Sequence, residues 1–250
     1  MDNVKADHYS SPELVVMLTS DDRTVENAYK IFLECRNSQA MCWGIKEKGL
    51  AIGQMKELFT AMKEYGKTTV LEVVSYSEAN CMLGAKAAVE CHCDILMGTT
   101  FFDSVNELCR ENNLKYMPFV GKVTGRPSIL EGSIQDMIDQ ANQYLEKGVY
   151  GFDLLGYRYT GNAAQLINDF ISNVNAPVCL AGSINSFERL DEVKRFATWS
   201  FAIGGAFFNN EFGGTFSEQI DKVCKYIKTC QPFYTEGEGC AQQPITQKFA

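Results

Sequence analysis

Residues 177–208 read PVCLAGSINSFERLDEVKRFATWSFAIGGAFF. An apolar segment of strand length (177–184) passes through Ala181, Gly182 and Ser183, and apolar residues then recur at helical spacing through 185–196. A second apolar strand (200–208) follows and again meets small residues, Gly204 and Gly205. Strand, amphipathic helix and strand in this order make a βαβ unit, whose strands lie parallel because the helix carries the chain back across the sheet. Side chains vanish at equivalent points of two successive units. Either two tight turns need bare backbone, or two strand ends form a floor that a ligand approaches closely.

The same alternation extends over the rest of the chain. Strands are expected at 14–20, 40–46, 68–75, 93–99, 115–123, 148–157, 177–184 and 200–208, and helices at 24–36, 52–65, 77–90, 102–112, 132–147, 162–173, 185–196 and 215–229. Near-continuous apolar strands covered by amphipathic helices suit a parallel sheet buried on both faces. Eight such units in 250 residues predict a (β/α)8 TIM barrel of class α/β. An open doubly wound sheet would carry a glycine-rich fingerprint after its first strand, and LTSDDRT has no glycine. Ser77 or Asn80, Asn162, and Asn185 or Ser186 supply helix-opening oxygens, while Gly66 and Gly148 stand at helix ends. One domain is expected over 1–230, with a tail at 231–250 that lies on the surface or is partly disordered.

A formal charge of −8 and a pI near 4.9 argue against nucleic acid and anionic membranes as partners, although backbone dipoles still bind a small anion locally. No apolar run reaches bilayer length and the amino end is polar, so a cytoplasmic protein is expected. Most of the ten cysteines fall inside periodic apolar segments, where a reduced thiol serves as a small core residue.

In such a barrel, ligands bind where the strands end at their carboxyl side. Loops after strands seven and eight, with a small helix, often hold a phosphate on backbone N–H groups. Gly182, Ser183, Gly204 and Gly205 occupy those places and are the expected phosphate grip. Lys46 shares parity with Cys42 and Gly44, and Glu72 with Val70 and Val74, which predicts that both project into the barrel mouth. A carboxylate in an apolar strand is costly unless paired, and an ammonium beside it tunes both for proton transfer. Asp153, which interrupts strand six, and Lys122 after strand five complete the catalytic candidates; Asp21 and Arg158 are candidate substrate contacts. The ECHCD cluster (90–94) has metal-ligand residue types but falls at the opposite end of strand four, and the chain has only His8 and His92. No metal site is expected.

With its strand, small-Gly-small turn, helix, and strand ending in Gly-small-Ala, the stretch 177–208 resembles the last two units of the ribulose-phosphate-binding barrel superfamily. That group includes phosphosugar isomerases, N-acetylmannosamine-6-phosphate 2-epimerase, and phosphosugar aldolases and decarboxylases. The resemblance implies a phosphorylated substrate. GYRYTG (156–161) is similar to a segment of the epimerase, and Lys46 matches its lysine after strand two, but Ala181 stands where its glutamate belongs. Class I aldolases carry a strand-six lysine where this chain has Asp153; the decarboxylase Asp-x-Lys-x-x-Asp is missing from LEVVSYSE. Of the two aspartates of the histidine-pathway isomerase, Asp21 fits the first, and Lys122 replaces the second. IKEKGLAIG (45–53) resembles part of a furan-forming phosphate synthase without its proline.

The expected function is a phosphosugar isomerase, epimerase or aldolase-type lyase without a cofactor. The alternatives are a non-catalytic phosphometabolite-binding barrel and a furan-forming lyase. The expected partner is a small phosphorylated metabolite, and the expected assembly, if the chain self-associates, is a homodimer.

Overall fold

In the computed structural model, which describes residues 11–229, each apolar run of the sequence becomes a strand and each amphipathic run a helix. The order is β1 (Glu13–Met17), α1 (Ala28–Cys35), β2 (Cys42–Lys46), α2 (Ile52–Glu64), β3 (Thr68–Val73), α3 (Glu78–Glu90), β4 (Ile95–Gly98) and α4 (Asp103–Glu111). Then follow β5 (Lys115–Met117), α5 (Ile134–Glu146), β6 (Phe152–Leu154), α6 (Ala163–Asn173), β7 (Val178–Leu180), α7 (Phe187–Phe196), β8 (Ser200–Ile203) and α8 (Phe216–Lys228). The tail at 231–250 lies outside the described residues, as do His8, Cys230 and Cys240.

Parallel pairing runs in the order β6-β7-β8-β1-β2-β3-β4-β5. The seam between β5 and β6 is bridged by the Tyr150 N–H to the Tyr116 carbonyl at 2.9 Å and the Asp153 N–H to the Pro118 carbonyl at 3.1 Å. The result is a nearly closed eight-stranded TIM barrel with helices between the strands.

Alternation along each strand sorts side chains into two cores. Val15, Met17, Cys42, Val70, Ile95, Met97, Met117 and Cys179 fill the barrel interior. Trp43, Leu71, Leu96, Phe152, Leu180 and Phe201 face the helices, where burial of each such side chain is worth roughly 1.5–3 kcal/mol. Gly44 belongs to the interior set because a Cβ there would lie 2.4 Å from the Met17 sulfur. Asn162 and Ser186 cap α6 and α7, accepting from Gln165 N–H at 3.1 Å and Arg189 N–H at 3.3 Å. Gly66 and Gly148 take φ +70° and +87° at their helix ends.

Seven of the eight expected strands end early, the second alone reaching its expected end at Lys46, and after four of them the chain builds short elements at the barrel mouth. Strand one stops at Met17, after which Thr19–Ser20 pairs back antiparallel with Arg23–Thr24. Strand five stops before Pro118, which has no N–H for a ladder; Gly121 turns the chain at φ +71°, and Lys122–Thr124 pairs antiparallel with Ile129–Glu131. After β6, Gly156–Arg158 forms a 3-10 turn, and after β8, Gly205–Phe208 forms a one-turn helix. Among the described residues, no helix is long and apolar enough to cross a membrane.

Candidate functional site

The carboxyl ends of the strands surround a cavity of about 970 Å³. Met17, Glu72, Lys46 and Ala202 form its base, and the mouth hairpin, the 126–127 turn and the two glycine turns form its walls. Five cationic side chains line it (Arg23, Lys46, Lys48, Arg126 and Arg158) against four carboxylates (Asp21, Asp22, Glu72 and Glu211). The acidity of the whole chain is therefore not reproduced here, and an anion entering the mouth is not repelled.

Lys46 and Glu72 are register partners on β2 and β3 and project to the same side, with Nζ 3.4 Å from Oε1. The Lys46 ammonium also pairs with Asp22, and both partners are largely enclosed. Burial works against this ammonium, but Glu72 and Asp22 outweigh it and hold its pKa above the usual lysine value. Lys46 is thus a fixed positive charge and a poor amine nucleophile.

Asp153 lies beneath this pair on β6, 1% exposed, and neither carboxylate oxygen meets a hydrogen-bond partner among the described residues. Burial pushes its carboxyl well above the usual range and the Glu72 charge adds to this, while Lys46 and Arg158 only partly oppose it. Asp153 accordingly keeps its proton where ordinary carboxylates have lost theirs.

The hairpin after β1 is latched to β2. The Thr24 hydroxyl donates to the Lys46 carbonyl at 2.7 Å and receives the Lys46 N–H at 2.9 Å, and the Thr24 N–H reaches the Lys48 carbonyl at 2.8 Å. Gly49 permits the contact: its φ is +113° and a Cβ would sit 2.1 Å from the Thr24 carbonyl oxygen. Gly49→Ala is expected to lower unfolding free energy by about 1–3 kcal/mol, measured by urea denaturation, because it forces strain onto this latch.

On the facing wall, Gly182 (φ +86°) and Ser183 (φ +53°) turn the chain after β7. Arg158 lies across Gly182, where a Cβ would come within 2.9 Å of its side chain. Gly204 is required by the chain itself, since a Cβ would lie 2.6 Å from the Thr19 hydroxyl oxygen. Gly205 differs: a Cβ there meets nothing within 4 Å, so no neighbour in the fold demands its absence. Its exposed backbone opens the one-turn helix toward the cavity.

No family model and no curated protein matches this chain. Solved structures do. Orotidine 5'-phosphate decarboxylase from Pyrococcus horikoshii OT3 superposes with a TM-score of 0.62 at 13% identity, over 87% of this chain and 100% of that one. The tryptophan synthase alpha chain from Legionella pneumophila gives 0.59 at 12%, over 87% and 90%. N-acetylmannosamine-6-phosphate 2-epimerase from Clostridium perfringens gives 0.58 at 12%, over 87% and 93%. The chain shares the (β/α)8 barrel fold of these structures. At these identities the likeness concerns architecture, and it agrees with the resemblance read from 177–208.

Within this barrel, Lys46, Glu72, Asp21, Arg158, Gly182, Ser183, Gly204 and Gly205 all line one cavity, and Asp153 is buried close enough to Glu72, Lys46 and Arg158 to feel their charges. Lys122 is not brought there. The chain leaves the barrel at Pro118, and Lys122 stands on the antiparallel ribbon, 72% exposed, 3.3 Å from Glu131. Asp21 is exposed at the rim, whereas its neighbour Asp22 makes the ion pairs. Arg126 is the residue that strand-end reasoning missed. The Gly125-Arg126-Pro127 turn was a visible hairpin signal, but nothing local says what lies opposite it. Cys91 and Cys93 of the ECHCD cluster are buried thiols at the amino end of β4. Among the described residues, no three His, Cys, Asp or Glu side chains converge as metal ligands.

Proposed function

We propose that this protein is an enzyme that converts a sugar phosphate by acid–base chemistry beside a carbonyl, as an isomerase, an epimerase or an aldolase-type lyase. The observation that carries this reading is the enclosed Lys46–Glu72 pair facing two bare-backbone turns across one cavity. The phosphate sits on the Gly182-Ser183 turn and at Gly205, with Arg158 supplying charge. The sugar carbonyl oxygen points to Lys46. Glu72 removes the proton from the adjacent carbon, and the electron pair moves onto the carbonyl oxygen, where the ammonium stabilises the enediolate. Return of that proton to the former carbonyl carbon, with the adjacent hydroxyl proton passing to the enediolate oxygen, gives isomerisation; delivery of a different proton from a donor on the opposite face, while Glu72 keeps the first, gives epimerisation. In the lyase variant, Glu72 instead takes a hydroxyl proton and the carbon–carbon bond breaks. Asp153, holding a proton beneath the pair, is the reserve acid.

A persistently charged Lys46 favours this electrostatic role over Schiff-base chemistry. The eight free, buried thiols among the described residues agree with a reducing compartment, and we place the enzyme in the cytoplasm.

Incubating the protein with a panel of phosphosugars in deuterium oxide and following C–H signals by NMR tests the chemistry. Exchange at a carbon beside the carbonyl supports it; binding without exchange or turnover across the panel assigns the barrel to metabolite sensing instead. The grip is tested separately by Gly205→Asp. Its side chain enters open space, so the melting temperature should stay within about 2 °C, while sugar-phosphate affinity by titration calorimetry drops at least about tenfold from like-charge repulsion. Unchanged affinity would remove Gly205 from the grip.

A further inference from the structure

Asp22 is held between two cations. One carboxylate oxygen pairs with Lys46 Nζ, and the other lies 3.1 Å from Arg126 Nη1. Arg126 is aimed from a second side, because its Nη2 donates to the Val74 carbonyl at 2.9 Å. The gap between Lys46 and Arg126 is therefore shaped for a carboxylate, with one oxygen for each cation. The group now filling it comes from a turn in which two consecutive non-glycine residues, Asp21 and Asp22, have φ of +48° and +61°. Such backbone is strained, and the two ion pairs offset that strain.

The Thr24 latch fixes the return arm of the hairpin on β2, so rotation of the Asp22 side chain alone frees both cations without moving the barrel. The residue is 19% exposed at the mouth, which leaves its carboxylate a route to water. The gap and the glycine turns line the same cavity, with Lys46 at its base.

Resting on the phosphosugar reading, we propose that the substrate is a phosphorylated sugar acid. Its carboxylate replaces Asp22 between Lys46 and Arg126 while its phosphate occupies the glycine turns. Arg126 is the residue that selects sugar acids over neutral phosphosugars, and Asp22 is the internal placeholder that keeps the cations paired when the site is empty. The exchange costs little electrostatically, since one carboxylate leaves the two cations as another arrives.

The test compares three probes by titration calorimetry. 6-Phosphogluconate and glucitol 6-phosphate differ only in a carboxylate against a hydroxymethyl group, and gluconate lacks the phosphate. The wild type should bind 6-phosphogluconate at least about tenfold more tightly than glucitol 6-phosphate. Arg126→Gln should bring the two within about twofold, leaving glucitol 6-phosphate affinity unchanged. Asp22→Asn should tighten 6-phosphogluconate several-fold and leave glucitol 6-phosphate where it was. Equal wild-type affinities, a preference that survives Arg126→Gln, or weaker 6-phosphogluconate binding in Asp22→Asn overturns the proposal and leaves the phosphate grip standing. If gluconate binds in an Arg126-dependent way while phosphate adds no affinity, the carboxylate site stands and the phosphosugar reading falls. Binding of none of the three overturns both. Circular dichroism of each variant separates these results from misfolding.

Discussion

Glu72→Gln should reduce deuterium exchange from the substrate C–H bond by about 10²–10⁴-fold while changing sugar-phosphate affinity only a few-fold. The substitution keeps the shape of the side chain and deletes its basicity, so the loss falls on the chemical step. Lys46→Met should lower exchange comparably for a different reason, by removing the charge that stabilises the enediolate. It should also cost stability, about 1–3 kcal/mol by urea denaturation, because Asp22 and Glu72 lose the cation they share in an enclosed site. Lys46→Arg should not restore activity, since a planar fork does not place its charge where the compact ammonium stood. Exchange within about threefold of wild type in Glu72→Gln would end the proton-abstraction role. Equal stability of Lys46→Met and wild type would show that the three groups do not hold one another.

Asp153→Asn should change how stability depends on pH. The unfolded chain loses the Asp153 proton near the ordinary carboxylate value of about 3.9, whereas burial keeps that proton on in the folded protein to a much higher pH. Between those two values the folded state binds more protons than the unfolded one. This group's contribution to stability is therefore complete below the unfolded pKa and is lost as pH rises toward the folded one, by at most about 1.4 kcal/mol per pH unit. The amide has no such linkage. Wild type and Asp153→Asn should unfold alike near pH 4, and the variant should become progressively more stable by comparison as pH rises to 8. Urea titrations across that range measure the difference directly, and other titrating groups largely cancel because both proteins carry them. Parallel curves would mean that Asp153 is ionised in the native barrel, which would remove it as a reserve acid.

An orphaned acid is also a clue to function. A fold that needed only packing would place an apolar residue at 153, as it does with Cys179, its register partner in the barrel interior. Keeping a carboxyl that has no hydrogen-bond partner among the described residues near a Lys–Glu pair sacrifices stability at a point where proton storage is useful.

Much of this was legible locally. Strand parity put Lys46 and Glu72 on one side, and the parallel ladder then made them direct neighbours, because a period of two leaves no other face for them. The glycine turns after β7 and β8 were equally visible, since absent side chains are written in the sequence itself. Lys122 shows the limit. Its apolar neighbours read as a continuing strand, but Pro118 and Gly121 redirect the chain into a ribbon whose pairing partner lies beyond the next turn.

The sequence by itself determined the eight alternating units, the barrel they form and the side of each strand that faces inward, because periodicity and turn chemistry act within a few residues. Only the tertiary structure decided that Asp22 is the engaged aspartate of the turn, that Arg126 crosses 104 positions of chain to meet it, and that Asp153 has no hydrogen-bond partner among the described residues. Those outcomes depend on where two mouth hairpins come to rest against each other and on how deeply one strand is buried. Such contacts are fixed by closure of the barrel, and local sequence does not encode them.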